Sequence, residues 1–240
     1  MQQTLKSTEG RKNKIMKNII NHSYNNILED IKITCLKNKR DPKSVNVIAI
    51  CKRQPLQKIT QAIDSGINNF GENRVQDGIN RWSNIKSKNI ILSFVGPLQT
   101  NKSEDAINLF HEIQSLDRIK LVKSLSKAES KLNKKLNYMV QVNTGNEVQK
   151  SGINPNEVDN FIQLCKKDYG LNVTGLMCIP PINQNPAIHF AFMLEIHKRN
   201  NLQHLSMGMS NDYKTAIEFG ATHIRIGSKL FGERLEKEET

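Results

Sequence analysis

Two stretches of this chain carry residue types that could handle an anion and a carbonyl. The segment His223-Ile224-Arg225-Ile226-Gly227-Ser228-Lys229-Leu230-Phe231-Gly232 reads as a short strand entering a Gly-Ser turn and a helix start. Backbone N–H groups and a hydroxyl at such a start suit a phosphate. Ile48-Ala49-Ile50-Cys51-Lys52 reads as a second strand end with a lone lysine. A lysine there either snorkels to solvent or keeps a desolvated amine, whose neutral form can condense with an aldehyde. Ser206-Met207-Gly208-Met209-Ser210-Asn211-Asp212 adds another Gly/Ser turn. Taken singly, each Gly/Ser turn is also an ordinary helix cap.

Other chemistries find no support. The six histidines are scattered, no Gly-x-Ser-x-Gly elbow occurs, and Glu72 is the single carboxylate at a candidate strand end. His204 and His223 read as satisfied core residues. Cys35, Cys51, Cys165 and Cys178 show neither CxxC spacing nor a histidine at zinc-ligand distance, so free thiols and no metal are expected. Gly96-Pro97-Leu98-Gln99-Thr100-Asn101-Lys102-Ser103 resembles a phosphate loop but lacks the glycine required before the lysine.

The elements that must position these residues alternate regularly. Val45–Cys51 is an apolar run broken only by Asn46, the pattern of a strand buried on both faces. Further strand candidates are Ile67–Phe70, Ile90–Val95, His111–Gln114, Leu136–Asn143, Leu171–Ile179, Gln203–Ser206 and Thr222–Ile226. Helical spacing separates them at Leu56–Ile63, Val75–Trp82, Ile119–Leu132, Glu157–Lys167, Ile188–His197 and Tyr213–Phe219, with another helix starting near Asn101. About eight strands in this cadence predict a (β/α)8 barrel, with a doubly wound open sheet as the alternative. Lys52, Glu72-Asn73, Gly96-Pro97, Asn143, Ser206-Met207-Gly208 and Arg225–Ser228 all fall at strand carboxyl ends. A barrel gathers those ends at one mouth.

The chain has 240 residues and a net charge of +12, but its lysines are spread over nearly every candidate helix and only 5% of residues are aromatic. That argues for solvated helix faces and against a nucleic-acid partner. No apolar run is long enough for a membrane span, and no signal or transit peptide is evident, so a cytoplasmic protein is expected. Residues 1–15 lack periodicity and are expected to form a disordered extension, with a barrel over 16–240.

From Met16 to Arg234 the chain resembles the pyridoxal 5′-phosphate (PLP) homeostasis proteins, single-domain relatives of the alanine racemase N-terminal barrel. The likeness rests on Ala49–Lys52, Phe70–Gln76, Phe94–Ser103, Ile113–Arg118, Val142-Asn143, Lys150–Gly152, Gly175–Met177, Leu205–Asp212 and Ile224–Gly232. It implies a single-domain (β/α)8 TIM barrel of PLP fold type III without the C-terminal β domain. It further implies that Lys52 carries PLP as a Schiff base, that Ser206, Gly208, Gly227 and Ser228 hold its phosphate near Met207, that Asn73 lines the ring and that Arg225 faces the pyridine nitrogen. A guanidinium accepts no proton, so it favours an unprotonated, weakly electron-withdrawing ring.

Alanine racemase takes its second acid/base, a tyrosine, from the C-terminal β domain of a partner subunit. Tyr24, Tyr138, Tyr169 and Tyr213 occupy no matching motif. The resemblance therefore implies a non-catalytic PLP carrier or regulator, monomeric and in transient contact with PLP-dependent apoenzymes. The alternative is a low-efficiency PLP-dependent racemase or lyase. Two positions depart from the family: Ser93 stands where histidine is usual, and Cys51 where serine is usual.

Overall fold

The computed structural model describes residues 2–85, 89–147 and 149–232, with side chains from Ile19 onward. Eight parallel strands form the centre: β1 (Asn46–Ile50), β2 (Asn69–Glu72), β3 (Ile91–Phe94), β4 (Glu112–Leu116), β5 (Asn137–Val142), β6 (Asn172–Cys178), β7 (His204–Ser206) and β8 (His223–Ile226). They hydrogen-bond in sequence order, and β8 closes on β1, which rules out the open sheet. Helices α1 (Gln2–Lys37), α2 (Leu56–Asp64), α3 (Val75–Trp82), α4 (Ser103–Leu109), α5 (Ile119–Leu132), α6 (Val158–Lys167), α7 (Pro186–Arg199) and α8 (Tyr213–Glu218) precede or separate the strands. The one-turn α9 (Ser228–Phe231) follows β8. α1 begins at Gln2, within the stretch expected from its lack of periodicity to be a disordered extension.

Local chemistry sets the element ends. Pro186 at the first turn of α7 follows Asn185, whose side chain accepts the Ala187 N–H, a capped start. Asn133, at φ 47°, ends α5 in the left-handed conformation that asparagine tolerates. Arg40, just past α1, donates to the carbonyls of Ile217 and Ala221, so the leading helix is tied to α8 beside β8.

Two layers of burial result. Between sheet and helices lies one apolar core that includes Phe70, Phe94, Phe110, Leu125, Phe190, Leu205 and Ile224. Inside the barrel the lining is mixed: Ile48, Met139 and Met177 share it with Ser93, Glu112, Gln114, Ser206 and Arg225, all buried. The hydrogen bond from Ser206 on β7 to Gln114 on β4 joins strands that are not neighbours and so crosses the lumen. No helix among the described residues is long and apolar enough to cross a membrane.

Candidate functional site

Lys52 sits two residues beyond β1, half-buried, in a tight turn. The Gln54 N–H donates to the Cys51 carbonyl at 3.0 Å, and Arg53 holds φ 58°, a strained value for a side chain other than glycine. The turn is strapped from outside. Arg81 on α3 donates through Nη2 to the Gln54 carbonyl at 3.3 Å and pairs through Nη1 with Glu72. Trp82 Nε1 donates to the same Glu72 oxygen at 2.9 Å. Burial pushes the Glu72 carboxyl up, against the charge and hydrogen bonds of Arg81 and the hydrogen bond of Trp82. Glu72 is thus turned into the helix layer as part of the strap. Arg81 and Trp82 were invisible as site supports in the sequence, where they read only as helix positions.

Parallel pairing of β1 with β8 sets Ile48 beside Arg225 and Ala49 beside Ile226, which brings the next residue, Gly227, alongside Ile50. A Cβ on Gly227 would lie 3.8 Å from the Ile50 Cβ. The Gly227-Ser228 turn and Lys52 therefore flank the same mouth. Ser228 is exposed and opens α9, whose Lys229 N–H donates to Ser210 Oγ at 3.3 Å. Ser210 is thus the hydroxyl that reaches the start of α9.

The loop carrying Ser210 is rigidly built. Gly208 has φ 90°, and a Cβ there would meet the Ala216 Cβ at 2.5 Å and the Tyr213 Cα at 2.9 Å. Only glycine fits both demands. The Asp212 carboxylate accepts the Met209 N–H at 2.6 Å. Asp30 on α1 then gathers Lys214 at 2.7 Å, Lys229 at 3.2 Å and the Tyr213 hydroxyl. Burial opposes the Asp30 charge, but hydrogen bonds from Lys214, Tyr213 and Lys229 outweigh it and bring its pKa down to about 2.

Of the remaining residues singled out in the sequence, Asn73 is half-buried at the end of β2, and its backbone packs against Gly96 so closely that a Cβ on Gly96 would fall 2.2 Å from the Asn73 carbonyl oxygen. Met207 is fully buried in the apolar core. Ser206 is fully buried in the lumen, where its hydroxyl accepts from Arg225 Nη1 and donates to Gln114 Oε1, each at 2.7 Å. Strand alternation explains this: Ser206 shares the inward face with His204, while Met207 turns outward. Arg225, 4% exposed, also donates through Nη2 to the Cys178 carbonyl at 2.7 Å. Two of the tyrosines are committed elsewhere, Tyr138 to Glu129 at 3.0 Å and Tyr213 to Asp30. No His/Cys/Asp/Glu group among the described residues could hold a metal ion.

Comparison with known proteins agrees with this geometry. The family model of the alanine racemase N-terminal domain matches residues 33–235. Pyridoxal phosphate homeostasis proteins of Haemophilus influenzae and Aquifex aeolicus are each 34% identical, over 90% and 87% of this chain and 96% and 95% of theirs. The PipY protein of Synechococcus elongatus, solved without PLP and with PLP bound, is 30% identical over 86% of this chain and all of its own, with TM-scores of 0.75 and 0.73. An alanine racemase of Clostridium difficile shares the fold at TM-score 0.70 and 13% identity, over 93% of this chain and 59% of that chain. The chain belongs to the pyridoxal phosphate homeostasis protein family.

Proposed function

We propose, from that membership and from the mouth's geometry, that this chain binds PLP and serves its intracellular homeostasis as a carrier or regulator. The observation that carries the reading is the placement of Lys52 across β1 and β8 from the Gly227-Ser228 turn, an amine and an anion cradle on one rim. PLP brings an aldehyde and a phosphate. The Lys52 amine would add to the aldehyde with loss of water, forming a Schiff base. Gly208, Gly227 and Ser228 would cradle the phosphate, with Ser210 supplying the hydroxyl that the resemblance assigns to Ser206. Asn73 would line the ring, and Met207 would back the loop from the core.

The donor set fits the cofactor at its other end too. Arg225 offers only N–H donors, so a ring nitrogen facing it stays unprotonated. When bound, the cofactor supplies an electron sink, and this chain's residues would keep that sink weak. Turnover as a racemase would also need a second acid/base, and the Tyr138 and Tyr213 hydroxyls are engaged with the Glu129 and Asp30 carboxylates. Both features favour a carrier in the cytoplasm, handing PLP to apoenzymes, over the racemase or lyase alternative.

Titrating the apoprotein with PLP should give a new absorption band at one equivalent, and Lys52→Ala should abolish it. Unchanged spectra in that variant would sink the assignment. Incubating the loaded protein with L-alanine in heavy water addresses the alternative: a carrier gives little deuterium at Cα, and rapid exchange would favour the enzyme.

A further inference from the structure

The buried guanidinium of Arg225 has only uncharged acceptors in direct contact, the Ser206 hydroxyl and the Cys178 carbonyl. Across the lumen, Glu112 is 8% exposed and likewise touches only uncharged donors, Ser93 Oγ at 2.9 Å and Gln114 Nε2 at 2.6 Å, both on its Oε1. An isolated buried charge is costly, so each end calls for a counter-charge. The groups between them form one continuous chain: Arg225 Nη1 to Ser206 Oγ at 2.7 Å, Ser206 Oγ to Gln114 Oε1 at 2.7 Å, Gln114 Nε2 to Glu112 Oε1 at 2.6 Å.

The direction of that chain is dictated by its ends. A guanidinium can only donate, so Ser206 must accept from it and spend its single proton on Gln114. Gln114 then presents its oxygen to Ser206 and its amide to Glu112, where an ionised carboxylate only accepts. Every donor points from the cation to the anion, and such aligned dipoles reinforce one another in a low-dielectric interior. Ser93, standing where the family usually has histidine, donates to the same carboxylate oxygen. Burial pushes the Glu112 carboxyl up, and the hydrogen bonds from Gln114 and Ser93 work to keep it charged. The other titratable groups acting near Arg225 are His223, Asp212 and Cys178, with His204 packed on His223.

We propose that Glu112 is a positioning residue that acts as the counter-charge of Arg225, wired to it through Gln114 and Ser206, and so sets the potential that the barrel presents beneath the mouth. The proposal rests on the PLP reading for its functional consequence but not for the wiring itself. Removing the negative end leaves the mouth more positive, which disfavours a protonated Lys52 linkage.

The test is Glu112→Gln, which keeps the shape and acceptor oxygen but not the charge. In apoprotein, side-chain NMR should show the guanidinium protons of Arg225, identified by their loss in Arg225→Lys, exchanging several-fold faster in the variant. In PLP-loaded protein, the pH midpoint of the linkage's absorption should move down by about half a unit or more. Unchanged exchange together with an unchanged midpoint would overturn the proposal. If wild-type protein takes up no PLP, the cofactor reading fails, and the apoprotein measurement alone decides the wiring. Should Glu112→Gln not fold, Gln114→Met cuts the chain at its middle and takes the same readouts.

Discussion

At the carboxyl ends of the strands, the loops after β1, β7 and β8 put an amine, two glycines and two hydroxyls around one opening, each loop strapped from behind by a charged side chain. At the amino ends of β7 and β8, the His204 and His223 rings pack edge to face at 4.9 Å. Near them Asn137, Lys166, Asn172, Thr174 and His204 line a polar cavity of about 290 Å3. That cavity therefore lies at the end without the matched amine and anion cradle. In a parallel barrel the strand carboxyl ends carry function and the other end carries stability. Arg225 and Glu112 lie between the two regions, buried in the lumen.

The sharpest way to break the mouth is Gly208→Ala. The added Cβ meets Ala216 and the Tyr213 backbone at a positive φ, which should cost about 3 kcal/mol and weaken PLP uptake together. Urea unfolding and a PLP titration would check this; a variant as stable as wild type would contradict the cramped geometry of the β7–α8 loop.

The floor should answer to acid instead. Burial, His204 and Arg225 bring the pKa of His223 down from 6.5 to about 3. The unfolded chain binds this proton below about pH 6.5 and the folded chain does not, so stability is full above that pH and falls as pH drops toward 3. His223→Phe keeps a ring against His204 but removes the proton. Its unfolding midpoint in urea should fall less than that of wild type between pH 7 and pH 4.5, with mouth spectra at pH 7 little changed. Equal acid sensitivity would remove His223 as the cause.

Asp30→Asn is the mildest probe. Releasing Lys214 and Lys229 should cost about 1 kcal/mol and loosen PLP a few-fold. Because the Asp30 pKa is lowered to about 2, its contribution is complete above about pH 4 and disappears only as pH falls toward 2. A variant whose PLP affinity matches wild type would detach α1 from the mouth.

The sequence made the frame of this comparison legible and left its wiring hidden. Val75–Trp82 and Ile119–Leu132 are helices with the bounds their spacing predicts, because one apolar stripe must face the sheet. The strands agree within two residues at most ends, since turn residues such as Gly66 and Asp41-Pro42 punctuate them. Closure into a barrel could not be read from periodicity, which an open sheet shares. Ser206 shows the limit most clearly: the resemblance implies a phosphate contact, and the pleat sets its hydroxyl in the lumen between Arg225 and Gln114. Counting by twos from His204 would have revealed that. Glu112 and Gln114 sit in a strand with both faces buried, so no hydrophobic alternation marks them as lumen residues. Arg81 and Trp82 gave no signal, because the Lys52 turn they support is distant in sequence.

The central claim, that Lys52 opposite Gly227-Ser228 forms the cofactor site, is most directly tested by borohydride reduction of the PLP-treated protein followed by peptide mass mapping. The expected result is a single pyridoxyl adduct on the peptide containing Lys52, absent from Lys52→Ala. A stoichiometric adduct on any other lysine, or an undiminished adduct in Lys52→Ala, would contradict it.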